Sequence, residues 1–442
     1  MKKVLIIGAG RSATTLINYL LKESEINNWL VTIADYNLNL AEKAANNHKN
    51  SNPIKFDVTN TLDREKEISQ SDIVVSMLPA AMHILVAKDC VKLKKNLVTA
   101  SYVSKEIQAL NNSAIESGVI LLNEIGLDPG IDHLSAMKVI DQVKDDGYKL
   151  TSFKSFCGGL VHPDYDNNPW NYKFTWNPRN VILAGQGTAQ YIINDNYKYI
   201  SYSNLFKRTE SMEILDAGEF EGYANRDSLG YRKDYGLDNI STLFRGTLRK
   251  KGFSKSWNKF VQLGMTDDSY QINNSEDLSN KEFLNLFLPK NEIFSVEENF
   301  CNYFSISLDS KEFYKFNWLG IFSDYKSDIK LASPAKILQH ITERKWSLDE
   351  NDKDMVVMQH QFEYLDNKEI KKLKSSLVVF GDDSVNTAMA KTVGLPVAIA
   401  VKLILNNIIT LKGVQIPTKK EIYSPVLKEL AKNGINFIEE LV

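Results

Sequence analysis

An apolar strand that runs straight into a glycine turn and then into a helix constrains this chain more than any other feature. Residues 4–13 read VLIIGAGRSA, and a helical run follows from Ser12 to Leu21. The motif is G-x-G-x-x-A, with Ala13 in the third small position. In that setting Gly8 permits the tight turn, Gly10 lets the backbone approach a pyrophosphate, and Ala13 lets the helix sit close on the strand. The helix N-terminus offers its N–H groups to the phosphates. A lone glycine motif is a weak signal. Here the strand–turn–helix context is present, and the next strand, WLVTIAD, closes on Asp35 at the spacing a dinucleotide fingerprint expects. These residues predict a fold that binds a nicotinamide or flavin dinucleotide.

The same alternation continues to residue 123. Six apolar runs, VLIIG (4–8), WLVTIAD (29–35), IKFDV (54–58), DIVVSMLP (72–79), NLVTAS (96–101) and GVILLN (118–123), are separated by helical periods such as LNLAEKAANN (38–47) and AMHILVAKDCVKL (81–93). That pattern predicts the α/β class, with an N-terminal doubly wound parallel sheet of the Rossmann kind. Ligands of such sheets lie beyond the C-terminal strand ends. The stretches to watch are therefore Gly8–Ser12, Asp35–Tyr36, Asp57–Val58, Ser76–Pro79, Ala100–Tyr102 and Asn123–Gly130.

After a helix at about 131–145 the pattern changes. Strand-like runs at 149–160 and 180–185 mix with aromatic, Gly and Pro punctuation, and 254–350 reads as helical and polar. Strand alternation returns at 354–365 and 375–382, and 389–407 reads as a long buried helix containing Pro396. At 442 residues the chain exceeds what one core usually serves. The expected division is a dinucleotide domain over 1–130 and a second, mixed α/β domain from 131–253 plus 351–389. A helical lobe over 254–350 is inserted in it, and C-terminal helices within 390–442 return to the first domain.

Charge excludes some functions. Lys plus Arg number 53 against 55 Asp plus Glu, a formal charge of −2, and no basic run resembles a nucleic-acid stripe. Three cysteines, far apart and odd in number, argue against a disulfide framework and for a reducing cytosol. No apolar run has membrane-spanning length and the chain starts on a strand, so a soluble, cytoplasmic protein is expected. The six His and three Cys show no metal-ligand spacing.

Asp35 is the most readable specificity residue. A carboxylate there accepts from the adenine ribose hydroxyls and repels a 2′-phosphate, which favours NAD over NADP; the alternative is that it caps the helix beginning near Leu38. The loop NEIGLDPGIDH (123–133) follows the sixth strand, and Asp128 and Tyr102 can both project there. Asp-Pro-Gly is also a strong turn sequence, and His133 opens a helix, where packing or capping competes with catalysis. Arg226, Arg245 and Arg249 stand among Gly, Asn and Thr, and the fixed guanidinium fork suits di- or tricarboxylate ligands, with surface ion pairing as the ordinary alternative. Cys157 ends a strand before two glycines and either faces the site or is an inert core thiol.

Taken together, GAGRSA (8–13), TASYVS (99–104), NEIGLDPGIDH (123–133), SFCGGL (155–160), NPWNYKFTW (168–176), ANRDS (224–228), FRGTLR (244–249) and TAMAKTVGLPVAIA (387–400) resemble saccharopine dehydrogenase of the glutamate-forming kind, also called saccharopine reductase. The resemblance runs nearly end to end and is weakest over 254–350. It implies a second domain that carries substrate contacts and a homodimer surface. Beside Gly8 of the glycine turn, it places the cofactor at Gly10, Arg11, Ser12, Asp35, Asp57, Val58, Ala100, Leu127 and Thr175. It places the substrate at Ser101, Tyr102, Asp128, Arg226, Arg245, Gly246 and Thr247. Familiar fungal members use NADP and lack an acidic residue at the second strand end, so Asp35 departs from their pattern.

The implied reaction interconverts saccharopine with L-glutamate and 2-aminoadipate 6-semialdehyde, in lysine metabolism, by hydride transfer between NAD(P) and the C–N bond. Such a site holds the imine carbon against the nicotinamide, binds several carboxylates and manages protons. Asp128 would orient the secondary amine, with Tyr102, or else Cys157 or a water, relaying protons. The rivals are a related amine or imine reductase of the carboxyspermidine type, and a non-catalytic dinucleotide-binding sensor on the same fold.

Overall fold

The computed structural model describes every residue except Lys368. Contacts divide the chain into two compact units. The first comprises Met1–Leu150, Asp234–Gly236 and Tyr364–Val442, and the second Thr151–Lys233 and Leu237–Glu363. The helices between Phe253 and Trp346, within the stretch expected as a lobe inserted in the second domain, fall inside the second unit.

The first unit is built on six strands, β1 (Lys2–Ile7), β2 (Trp29–Asp35), β3 (Ser51–Lys55), β4 (Ile73–Ser76), β5 (Asn96–Val98) and β6 (Ile120–Leu122), joined by a seventh at Gly413–Gln415. All pairs are parallel, in the order 413–415, β6, β5, β4, β1, β2, β3. β1 is central, and Val4–Ile7 are at most 1% exposed, which is why it reads as an unbroken apolar run. The expected strand at 54–58 instead spans Ser51–Lys55. It lies on the sheet edge, where Pro53 removes no needed ladder donor, and Phe56–Val58 turn past its end.

The helix Ala388–Leu405 lies against the helix Thr14–Asn27. A Cβ on Gly394 would stand 2.9 Å from the Leu16 nitrogen and 3.3 Å from the Ser12 carbonyl oxygen, so only glycine permits this approach. Against the expectation that no apolar run has membrane-spanning length, this helix is, among the described residues, the one long and apolar enough to cross a membrane, and 83% of it is buried, as a core helix would be. Lys402, near its end, pairs with Glu23 at 3.0 Å and Glu429 at 2.9 Å. The Tyr423 hydroxyl donates to Asp141 at 2.7 Å, tying the helix Lys420–Lys432 to the helix Ile131–Asp145. The strand Glu369–Phe380 pairs antiparallel with Ile438–Leu441.

The second unit contains most of β7 (Lys149–Val161) and of β13 (Asp354–Asp366), with β8 (Thr188–Ile193), β9 (Asn196–Ser201), β10 (Thr209–Glu213), β11 (Glu219–Ala224) and β12 (Thr242–Lys250) between them in sequence. The order is β10, β11, β12, β7, β13, with the β8–β9 hairpin attached to β12. β12 runs parallel to β7 and antiparallel to β11, which makes the sheet mixed. The strand expected at 180–185 is a helix, Pro178–Ile182, because Asn177 accepts from the Arg179 N–H and Pro178 presets its first turn. The helical part is held by aromatic packing. Trp170 stacks on Phe260 at 5.9 Å and meets Phe316 and Trp346 edge-on, each at 5.3 Å.

Candidate functional site

The glycine turn after β1 is shaped by backbone constraint. Gly8 has φ +104°, and a Cβ there would stand 2.7 Å from the Met77 carbonyl oxygen, so no other residue fits without a shift. Gly10 is exposed, and a Cβ on it would meet nothing within 4 Å. A single 3-10 turn, Arg11–Ala13, leads into the helix Thr14–Asn27. No side chain caps either start, whereas Asn37, Asn60 and Ser104 cap the helices after β2, β3 and β5. The turn behind Gly10 thus leaves the positive end of the helix dipole without a side-chain cap, as a pyrophosphate site requires. Ala13 is buried at 1% exposure, Ser12 is half-buried and Arg11 is exposed.

Asp35 stands at the rim of this turn. One carboxylate oxygen accepts from the Ala9 N–H at 2.8 Å and the other from the Asn37 N–H at 2.9 Å. The following helix is capped by Asn37, not Asp35, which removes helix capping as the explanation for the carboxylate. Asp57 is exposed and accepts from the Thr59 hydroxyl at 2.7 Å and the Thr59 N–H at 2.9 Å, bonds that hold its carboxyl below the usual carboxylate range. Val58 is buried, and its carbonyl accepts from Arg64, which pairs with Asp89 at 2.6 Å. A glycine cradle, an uncapped helix start and a fixed carboxylate at its edge fit a dinucleotide.

The ends of β4, β5 and β6 form the next group. His83 is 2% exposed, with Nδ1 2.8 Å from the Ser76 hydroxyl and Nε2 2.6 Å from the Ser101 hydroxyl. Burial pushes its pKa down to about 4, so the ring is neutral at physiological pH. Ala100 and Ser101 run beside the loop after β6: the Glu124 N–H donates to the Ser101 carbonyl at 3.0 Å, and a Cβ on Gly126 would stand 2.9 Å from the Ala100 Cβ. Tyr102 is 46% exposed, Leu127 is 6% exposed and Asp128 is half-buried. Gly130, at φ +145°, folds the loop back on Gly126, and the Asp128–Pro129 peptide is cis.

Glu124 underpins that loop. Its carboxylate accepts from the Val103 N–H at 2.9 Å and lies 3.0 Å from His133 Nε2, whose Nδ1 is 2.7 Å from the Tyr235 hydroxyl. All three side chains are buried, and Glu124 takes φ +56°, unusual for a residue with a long side chain. One carboxylate therefore anchors both the segment bearing Tyr102 and the helix that follows Asp128. His133 is a buried bridging group. Sequence reading passes over Glu124, His83 and Tyr235 and names Ser76 only as the start of a strand-end stretch. Glu124 lies inside a strand-end stretch already singled out and His83 lies seven residues beyond Ser76, but Tyr235 is distant in sequence.

In the second unit β12 brings Arg245, Gly246 and Thr247 together. Arg245 is 5% exposed, its guanidinium 4.7 Å from the centre of the Tyr231 ring, and its backbone N–H donates to the Ser228 hydroxyl at 2.9 Å. Arg226 is exposed on the neighbouring loop at φ +39°; that loop is held by the Asn225 N–H on the Arg245 carbonyl at 2.8 Å. Gly246 has a packing reason of its own, since a Cβ would stand 2.6 Å from the Phe156 ring. Cys157 is 7% exposed and pairs in register with Thr247. Arg249 is 3% exposed and surrounded by the rings of Tyr172, Tyr223 and Phe253 at 5.0–5.9 Å. It is thus not a surface ion pair. Thr175 is 6% exposed, and its hydroxyl has no partner among the described residues.

Comparison with known proteins supplies the context. A family model described as the saccharopine dehydrogenase NADP binding domain matches residues 4–122, and one described as the saccharopine dehydrogenase C-terminal domain matches residues 126–435. The chain is 35% identical over 455 residues to the saccharopine dehydrogenase (NADP(+), L-glutamate-forming) of Saccharomyces cerevisiae, covering 100% of this chain and 99% of the relative. It is also 35% identical over 448 residues to the mitochondrial alpha-aminoadipic semialdehyde synthase of Rattus norvegicus, covering 99% of this chain and 47% of that protein. It spans about half the length of the synthases it matches. The apo saccharopine dehydrogenase (L-Glu forming) structure from Saccharomyces cerevisiae superposes with a TM-score of 0.89 at 32% identity, over 100% of both chains. A homospermidine synthase from Legionella pneumophila, at TM-score 0.58 and 10% identity over 99% of this chain and 91% of that one, shares the fold alone.

Proposed function

The chain belongs to the saccharopine dehydrogenase family, and from that premise we propose that it interconverts saccharopine with L-glutamate and 2-aminoadipate 6-semialdehyde, using NAD(P), in lysine metabolism. The observation that carries this reading is the end-to-end match to the fungal L-glutamate-forming enzyme, over 99% of that enzyme's length. The nicotinamide supplies a hydride acceptor in one direction and a donor in the other. Removing hydride from the carbon beside the secondary amine leaves an imine; water adds to it, and the C–N bond breaks to give the amino acid and the aldehyde.

The chain's own residues would bind and handle protons. Arg226 and Arg245 suit the substrate carboxylates by paired N–H donation, with Ser101, Gly246 and Thr247 as further contacts. Asp128 would hold the secondary amine and favour its charged form, and Tyr102 would relay a proton. Cys157, buried to 7% exposure, is the weaker relay. Gly8, Gly10, Arg11, Ser12, Asp57, Val58, Ala100, Leu127 and Thr175 are assigned to the dinucleotide. The matched domain model and the fungal relatives favour NADP; Asp35 opposes its 2′-phosphate. Homodimer formation and a reducing, cytoplasmic setting complete the proposal, the latter supported by three cysteines that are far apart in sequence and odd in number. Incubation with saccharopine and oxidised cofactor, followed by product identification, tests it: glutamate and the semialdehyde in equal amounts are expected. Cofactor reduction with other amines but not with saccharopine would overturn it.

A further inference from the structure

The Ser76–His83–Ser101 chain has only one arrangement of protons that leaves no buried donor unpaired. Ser76 is fully buried, and among the described residues its hydroxyl has a single partner, His83 Nδ1 at 2.8 Å. A neutral imidazole carries one N–H and one bare nitrogen. If Nδ1 held the proton, the Ser76 O–H would be left without an acceptor in the interior, a costly state. If Nδ1 is bare, Ser76 donates to it, Nε2–H donates to the Ser101 oxygen at 2.6 Å, and every buried donor is satisfied. The Ser101 O–H then points away from the ring, and among the described residues it has no acceptor.

We infer that His83 is a positioning residue that commits Ser101 to donate its hydroxyl proton to an anionic group of the substrate. The inference rests on the reading of Ser101 as a substrate contact and deepens it. With the opposite tautomer, Ser101 would show a carboxylate only lone pairs and would repel it. With this one, a carboxylate receives a hydrogen bond whose direction is set before binding, so no hydroxyl rotation has to be frozen out. Depression of the His83 pKa keeps the ring from acquiring a second N–H near neutrality, which would deprive Ser76 of its acceptor.

Two measurements on the full chain test this. Ring nitrogen NMR of the wild-type protein, with His83 assigned by comparison with His83→Asn, reports which nitrogen carries the proton. A bare Nδ1 and protonated Nε2 between pH 6 and 8 are expected; a protonated Nδ1 or a doubly protonated ring overturns the inference. Steady-state kinetics on Ser101→Ala, His83→Leu and the double variant give the second readout. Each single change should raise KM for saccharopine about 10- to 100-fold, the loss of one hydrogen bond to a charged group, with dinucleotide affinity unchanged. The double variant should be no worse than Ser101→Ala alone, because His83 acts through that hydroxyl. Multiplied losses would overturn it. Absence of saccharopine turnover in the wild type would refute the functional reading instead, while the ring spectrum would still decide the tautomer.

Discussion

Replacing Asp35 by Asn removes its charge while keeping an oxygen that can accept from the Ala9 N–H, now 2.8 Å from the carboxylate. Both carboxylate oxygens are held by backbone N–H groups, one from Ala9 in the glycine turn and one from Asn37 just after β2, so the charge cannot swing away from whatever occupies the adenine ribose position. A 2′-phosphate there brings close to two negative charges within about 4–6 Å of a partly buried carboxylate. Between the bulk-water and protein-surface limits of Coulomb's law, and after screening by salt, the repulsion comes to about 2–3 kcal/mol. That equals about a 30- to 150-fold bias against NADP. Asp35→Asn should therefore raise the ratio of kcat/KM for NADP to that for NAD by this factor, whichever cofactor the wild type prefers. The assay is initial rate against cofactor concentration at low and high salt, and the wild-type bias should shrink as salt rises. An unchanged ratio, with melting temperature within a few degrees of wild type, would remove Asp35 from the account.

Further predictions follow from single residues. Gly8→Ala forces a side chain into φ +104° and within 2.7 Å of the Met77 oxygen; the conformational cost alone is about 1–2 kcal/mol, and dinucleotide affinity measured by titration should fall at least tenfold. Arg245→Gln should raise KM for saccharopine about 30-fold or more, the loss of about 2–3 kcal/mol of charge-assisted bonding, while leaving the dinucleotide Kd within twofold; equal losses for both ligands would contradict its role. The acid limb of stability should carry a His83 signature. Its folded pKa of about 4 lies below the unfolded value of 6.5, so the stabilisation is complete above pH 6.5 and is lost progressively as pH falls to about 4. The full loss is about 3 kcal/mol, from the fall of its pKa from 6.5 to about 4 on folding, and denaturant midpoints of His83→Asn should be flatter across that window.

How much of this was legible in the sequence depends on the range over which each feature is determined. β1, the glycine turn and Asp35 are set by neighbours in the chain, and all appear where periodicity and spacing place them. The strand misplaced by three residues at 54–58 and the helix mistaken for a strand at 180–185 were decided by local chemistry that hydrophobicity does not weigh: Pro53 suits an edge strand, and Asn177-Pro178 starts a helix. The polar networks were illegible for another reason. His133 reads as an isolated side chain until folding brings Tyr235, 102 positions away, to 2.7 Å. Ser76 and Ser101 become one unit only because β4 and β5 are neighbours in the sheet. Arg249 reads as one of three carboxylate binders, yet the rings of Tyr172, Tyr223 and Phe253 enclose it.

The central claim is tested most directly by the appearance of reduced nicotinamide absorbance when the purified chain receives saccharopine, with NAD and NADP in separate reactions. The account predicts saccharopine-dependent reduction with at least one cofactor, reversed by adding glutamate and the semialdehyde. No reduction with either, from folded protein that still binds a dinucleotide, would contradict it.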